Sequence, residues 1–285
     1  MTEEPRHEAD YEPRQIAAAR RVIVDVMQVL ASYQDCLVLV GGWVPDLVIG
    51  ETDDAHVGSI DVDLALDATR LEKGRYAEML KLLLDTGRYR QGEFGFQFIT
   101  EVDLGDDAPP VHVELDFLAP KEVKTRKNKP RLIEGFRVLK ADGCEAAFHS
   151  PLTMKLSGRM IGGAKNTVSL RVASVPDFLV MKSIALAGRD KPKDAYDICY
   201  CLDHYEGGTP QLATAWRSRM VPCSEVARAV EILKEKFESV DSYGPMQVVE
   251  FHNETDVATR DEQARRAFEL VRRFIAEVEQ NEGHE

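Results

Sequence analysis

Between residues 36 and 118 three segments read as β-strands, and acidic side chains recur on one face of two of them. Cys36-Leu37-Val38-Leu39-Val40 is apolar throughout and stops at Gly41-Gly42, as a buried strand does. Ser59–Leu66 alternates, with Ile60, Val62 and Leu64 on one face and Asp61 and Asp63 on the other. Val111–Leu118 alternates in the same way, placing Val111, Val113, Leu115 and Phe117 opposite His112, Glu114 and Asp116. Phe94–Val102 is a further alternating segment, followed by the turn Asp106-Asp107-Ala108-Pro109-Pro110. Strands facing a solvated or functional surface on one side and a core on the other need helices to cover that core.

The helices are legible by their spacing. Ile16, Ala19, Ile23, Met27 and Leu30 form an apolar stripe over residues 15–31, and residues 70–85 predict a second helix. Beyond about residue 175 the pattern becomes helical. One helix starts at Pro176-Asp177 and runs to about Gly188, and another starts at Pro192, a residue suited to a first helical position. Residues 211–239 and 260–279 are helical by spacing, the last with Ala264, Ala267, Val271, Phe274 and Val278 as its stripe. Residues 130–174 read as a bridge of strands and turns. The expectation is an α+β chain, with a mixed sheet and flanking helices in residues 1–174 and a helical domain in 175–285.

Composition narrows the partners. The 285 residues carry a net charge of −13, which argues against a broad basic surface for nucleic acid. Residues 121–140 are the exception, with eight Lys or Arg against Glu122 and Glu134. That stretch suits phosphate contact, although a solvated loop reads equally well. No apolar run is long enough to cross a bilayer, and the acidic start Met1-Thr2-Glu3-Glu4-Pro5 lacks the features of a signal peptide. Cys36, Cys144, Cys199, Cys201 and Cys223 are odd in number and scattered, so free thiols in a reducing cytoplasm are expected. His56, His112, His149 and His204 have no metal-ligand spacing among them and read as surface or structural residues, and Trp43 reads as packing.

An i, i+2 pair of aspartates on a strand points from one face, and a divalent cation is a natural reason to keep two such charges together. A Gly-Gly turn lets backbone lie close to phosphates and leaves its N–H groups free. Each feature has a plainer reading. Asp61 and Asp63 could be a solvated strand face, Gly41-Gly42 an ordinary turn, and the Glu114–Asp116 strand an exposed edge. The ordered set is more informative than any member.

Taken together, Gly41-Gly42, Ser59-x-Asp61-x-Asp63 and Glu114-Leu115-Asp116-Phe117-Leu118 resemble the nucleotidyltransferase superfamily with the polymerase-beta-like fold. Lys182, Arg189-Asp190-Lys191-Pro192-Lys193-Asp194 and Tyr196-Asp197-Ile198 resemble the second-half motifs of the AbiEii/MenT-type toxin branch. The resemblance covers about residues 36–202, and the Gly42–Asp61 gap is longer than the usual superfamily spacing. It implies that Gly41 and Gly42, with Ser59 beside them, cradle the triphosphate of an NTP, and that Asp61 and Asp63 bind one or two Mg²⁺ ions. It implies Asp116 as third carboxylate, ligating metal or helping to deprotonate the acceptor hydroxyl. Lys182 would contact phosphate, and Asp194 would orient nearby groups or contact the base or ribose, so that the helical domain completes the nucleotide and acceptor cleft.

Read physically, Lys182 and Arg189 are seven apart and share a helix face about 10 Å from each other. The plainer reading is a solvated helix, with Asp194 stabilised near a helix N-terminus by the dipole. Arg189, Lys191, Lys193 and Asp197 divide evenly between the two readings.

The function expected is Mg²⁺-dependent transfer of a nucleotidyl group from an NTP to an acceptor hydroxyl, with pyrophosphate leaving. The resemblance implies a toxin acting on RNA, such as a tRNA 3′ end, with a cognate antitoxin protein as a further partner. Net charge favours a small hydroxylated acceptor, as in aminoglycoside nucleotidyltransferases. A catalytically silent nucleotide-binding module is the third reading, and intact Asp61, Asp63 and Asp116 count against it.

Overall fold

The computed structural model describes residues 4–50, 52–67, 70, 75–93, 96–121, 138–222 and 224–280. In chain order its main elements are α1 (Pro13–Val29), β1 (Leu37–Val40), α2 (Trp43–Val48), β2 (Val62–Leu66), α3 (Arg75–Asp85), β3 (Tyr89–Gln91), β4 (Gln97–Val102) and β5 (Val111–Pro120). They continue with β6 (Leu139–Ala141), β7 (Leu152–Arg159), β8 (Lys165–Val172), α4 (Val175–Gly188), α5 (Pro192–His204) and α6 (Gly208–Arg217). The last are α7 (Glu225–Lys236), α8 (Tyr243–His252) and α9 (Val257–Glu279). The α+β class expected from the sequence is the class observed. No helix among the described residues is long and apolar enough to cross a membrane. Most of the basic stretch falls on residues 122–137, outside the described residues, as does Cys223.

The chain divides into two compact units, and the division is not one cut in sequence. Glu12–Val44 and Gly58–Ser174 form the sheet unit. The residues up to Tyr11, the segment Pro45–Val57 and the chain from Val175 onward form the helical unit. One boundary falls between Ser174 and Val175, and Pro45–Val57 groups with helices more than a hundred residues away in sequence.

The eight strands among the described residues lie in the sheet unit, in the order β3-β4-β5-β2-β1-β8-β7, with β6 beside β5. The sheet is mixed: β2 runs parallel to β5 and antiparallel to β1. Burial along β5 alternates as its sequence does, Val111, Val113, Leu115 and Phe117 being buried and His112 and Glu114 exposed. Helix α1 packs on β5, β7 and β8, burying Ala18, Ala19, Val22, Ile23, Val26 and Met27. One acid goes into this interface. Asp25 is fully buried and accepts hydrogen bonds from Tyr89 Oη at 2.9 Å and from Arg88 at 3.0 and 3.2 Å, which satisfies its charge. The bridge of residues 130–174 resolves, where described, into β6, a 3₁₀ turn and the β7–β8 hairpin.

In the helical unit the local signals hold. Pro192 opens α5, Ser224 caps α7 by accepting from Ala227 N at 3.1 Å, and Asp256 caps α9 by accepting from Thr259 N at 2.9 Å. The helical stretch expected over 211–239 is two helices, α6 and α7, separated by a turn that includes Pro222. Helix α8 has no counterpart in the sequence reading. Its apolar residues do not gather on one side, because α5 and α9 both pack against it. Helix α5 carries the charged residues of interest, and it lies against α4, α8 and α9.

Candidate functional site

The acidic residues come together in the sheet unit. The parallel register of β2 and β5 sets Asp63 directly beside Asp116, and the antiparallel register of β1 and β2 sets Val40 beside Asp63. The chain leaving β1 therefore reaches Gly41 at the level of the aspartates. Gly41 has φ +72°, a left-handed conformation that a side chain disfavours. A Cβ added there would lie 2.3 Å from Asp63 Oδ2, so a second and independent constraint demands glycine. Gly42 is buried in the same turn.

Asp61 lies one residue before β2 rather than inside it, so the sequence expectation of two aspartates on a regular strand holds for Asp63 alone. Two contacts fix Asp61 instead. Ser59 Oγ donates to Asp61 Oδ1 at 2.5 Å, and the buried Trp43 indole donates to the Asp61 carbonyl at 2.7 Å. Trp43 packs, as expected, and it also ties the residue after the glycine turn to the acidic pair across the long Gly42–Asp61 gap.

Asp116 is strongly perturbed. Its Oδ1 is buried with no hydrogen-bond partner among the described residues. Burial first, then Asp63, Asp61 and Glu114, push its carboxyl up to about 8, against an opposing hydrogen bond from Gln97. An orphaned buried oxygen among like charges fits a site completed by a cation, and oxygen donors of this kind suit Mg²⁺. No group of three or more His, Cys, Asp or Glu is already gathered at metal-binding geometry among the described residues. Repulsion opposes such gathering until a cation offsets it.

The second set of residues meets in the helical unit, in a buried ion cluster between α4 and α5. Lys182 Nζ donates to Asp194 Oδ1 at 2.7 Å and lies 2.8 Å from Asp197 Oδ2, the latter an ion pair without hydrogen-bond alignment. Arg189 holds Asp194 with two bonds, Nε to Oδ2 at 2.7 Å and Nη2 to Oδ1 at 2.9 Å. Lys193 Nζ donates to Asp197 Oδ1 at 2.7 Å, and His56 Nε2 bonds the same oxygen at 2.8 Å. Asp194 and Asp197 are fully buried, while half of the Arg189 side chain is exposed.

Electrostatics inside this cluster are decided by competition. Burial raises Asp194, but Lys182 and Arg189 outweigh it and bring the carboxyl down to about 2. Asp197 is likewise held well below its usual range, where Lys182 and Lys193 overcome burial. Lys182 is raised because Asp194 and Asp197 outweigh its desolvation, whereas Lys193 is lowered, chiefly by desolvation. Burial lowers His56 to about 4, helped by Lys193 and Lys182 and opposed by its bond to Asp197.

Of the residues singled out from sequence, Gly41, Gly42, Ser59, Asp61, Asp63 and Asp116 thus share one locality. Lys182 and Asp194 share another, as direct partners. Sequence reading placed His56 at the surface or in a structural role; it is buried, and joins the cluster with Lys193 and Asp197. No pattern around a lone histidine in a polar loop marks it as the partner of an aspartate 141 residues away.

No curated protein matches this chain. A family model, described as "Nucleotidyl transferase AbiEii toxin, Type IV TA system", matches residues 25–268.

Proposed function

The chain belongs to the AbiEii family of nucleotidyl transferase toxins of type IV toxin–antitoxin systems, and from that premise we propose Mg²⁺-dependent transfer of a nucleotidyl group from an NTP to a hydroxyl of RNA, at a tRNA 3′ end. The buried, unpartnered oxygen of Asp116 beside Asp63 and Asp61 is the observation that carries the metal part of this reading. One or two Mg²⁺ ions held by Asp61, Asp63 and Asp116 would supply the positive charge that a triphosphate and an attacking hydroxyl require.

The remaining work belongs to the chain. The missing Gly41 side chain leaves room for the Asp63 carboxylate, and the backbone N–H groups of the Gly41-Gly42 turn would meet phosphate. Asp116, on the strand beside Asp63, would ligate the metal or, ionised once a cation offsets Asp63 and Asp61, help to take the proton of the acceptor hydroxyl. The hydroxyl oxygen then bonds to the α-phosphorus as the α–β bridging bond breaks, and pyrophosphate carries away the electron pair. Lys182 supplies positive charge for phosphate. Asp194, fully buried and bonded to Lys182 and Arg189, serves by orienting those cations rather than by meeting a ligand itself. Catalysis of this kind is mostly positioning and charge stabilisation.

Net charge supports a second acceptor class, a small hydroxylated molecule such as an aminoglycoside. Retention of all three aspartates weighs against a silent nucleotide-binding module. The toxin–antitoxin description of the family supports an antitoxin partner, and the enzyme is proposed to act in the cytoplasm. The test is incubation with Mg²⁺ and each labelled NTP, with total tRNA or an aminoglycoside panel as acceptor, beside the Asp61→Asn/Asp63→Asn variant. Label in tRNA that the variant fails to add, by a factor of about a thousand, supports the proposal. Label only in aminoglycosides selects the second acceptor, and no Mg²⁺-dependent NTP binding or transfer by the wild type sinks the enzyme mechanism described here.

A further inference from the structure

We propose that His56 is a positioning residue for nucleotidyl transfer, whose Nε2–H holds Asp197 so that this one carboxylate fixes the ammonium groups of Lys182 and Lys193. The inference rests on the function proposed above and extends it to a residue on a loop that carries none of the family-like motifs.

The geometry leaves one arrangement of protons. Asp197 is ionised and buried, so it only accepts, and the 2.8 Å contact with His56 Nε2 requires the proton to sit on that nitrogen. Its Oδ1 receives both His56 and Lys193, while Oδ2 faces Lys182. Three groups therefore set the plane of the carboxylate, and the plane sets where the two ammonium groups lie. Charge explains the residue type. The cluster already holds three cations, Lys182, Lys193 and Arg189, against two carboxylates. A fourth cation would add to an uncompensated buried charge. A neutral imidazole donates a hydrogen bond without adding charge, and burial keeps His56 neutral near pH 7.

The imidazole is itself held. It stacks on the Tyr196 ring at 5.4 Å between centroids and meets Tyr200 edge-on at 4.8 Å. The loop that brings it in is tied down on both sides. Thr52 Oγ1 lies 3.0 Å from Tyr200 Oη, which donates to the Asp54 carbonyl at 3.0 Å, and Val57 N donates to Tyr196 Oη at 3.4 Å. The long Gly42–Asp61 gap thus acquires a purpose: it delivers a hydrogen-bond donor to the helical unit's ion cluster.

The test compares His56→Phe, which keeps a ring between the two tyrosines but donates nothing, with His56→Gln, whose amide N–H can replace Nε2–H. Label transfer from NTP, KM for NTP and melting temperature are measured for both, with Asp61→Asn/Asp63→Asn as the reference for lost chemistry. The expected result is transfer reduced about tenfold or more in His56→Phe, expressed as a raised KM for NTP, with melting near wild type, and recovery to within about threefold in His56→Gln. Equal transfer by wild type and His56→Phe, while the aspartate variant is inactive, overturns the inference and leaves the proposed function standing. Equal loss in both histidine variants together with a matching drop in melting temperature also overturns it, since a purely packing role predicts that. If the aspartate variant transfers as the wild type does, or the wild type neither transfers nor binds NTP, the underlying function fails and the inference falls with it.

Discussion

The two clusters of charge in this protein are built on opposite terms. In the sheet unit Asp61, Asp63 and Asp116 bring acidic groups together, and Asp116 is pushed up to about 8 with a buried oxygen that has no hydrogen-bond partner among the described residues. In the helical unit Asp194 and Asp197 each meet at least two cations, and both are pulled below their ordinary range. One cluster is electrostatically incomplete and the other is closed. Incomplete clusters trade stability for affinity toward a ligand, while closed ones hold side chains in place and are costly to break.

Neutralising one acid in each cluster puts the comparison at risk most directly. Asp197→Asn leaves Lys182 and Lys193 buried without their shared counter-charge and is expected to cost about 3–5 kcal/mol in urea unfolding. Asp116→Asn removes a carboxyl whose ionisation the metal-free fold resists, so metal-free stability should be unchanged or higher while transfer is lost. A similar stability loss in both variants would erase the distinction.

Gly41→Ala tests the close approach on the acidic side. It adds left-handed strain and forces the Asp63 carboxylate to move, with an expected cost of about 1–3 kcal/mol and a loss of transfer larger than that stability change explains. An active, normally stable Gly41→Ala protein would show that turn and carboxylate are not coupled.

A smaller effect sharpens the closed side through pH. His56 is lowered to about 4 from its ordinary 6.5, facing Asp197, Lys193 and Lys182, with Tyr196 and Tyr200 against its ring. The neutral ring's stabilisation is fully present above pH 6.5. It declines toward pH 4, because over that window the unfolded chain takes up a proton that the folded chain does not. Thermal melts from pH 7.5 to 4.5 should fall more steeply in the wild type than in His56→Gln. Asp194 acts in the same direction further down, its contribution declining from pH 3.8 and gone below about 2. Smallest of all is Arg189→Met, which should cost less than about 1 kcal/mol because half of that side chain stands in solvent and Asp194 keeps Lys182. A loss comparable to that of Asp197→Asn would mean the cluster closes through Arg189.

Sequence alone determined the strands β1, β2 and β5, helices α1, α4, α5 and α9, and the identity of the acids on β5 and at the entry to β2, because hydrophobic periodicity is a local signal. It also marked the glycine turn and the family-like residues Lys182 and Asp194. Tertiary structure decided the rest. It placed Asp61 ahead of its strand under Ser59 and Trp43, set Gly41 against Asp63, assigned Pro45–Val57 to the helical unit and drew α8 out of an evenly apolar segment. Most of all, it turned a histidine that reads as surface or structural into a buried partner of Asp197. Those outcomes depend on desolvation and on partners far apart in the chain, and neither leaves a mark on the residues beside them.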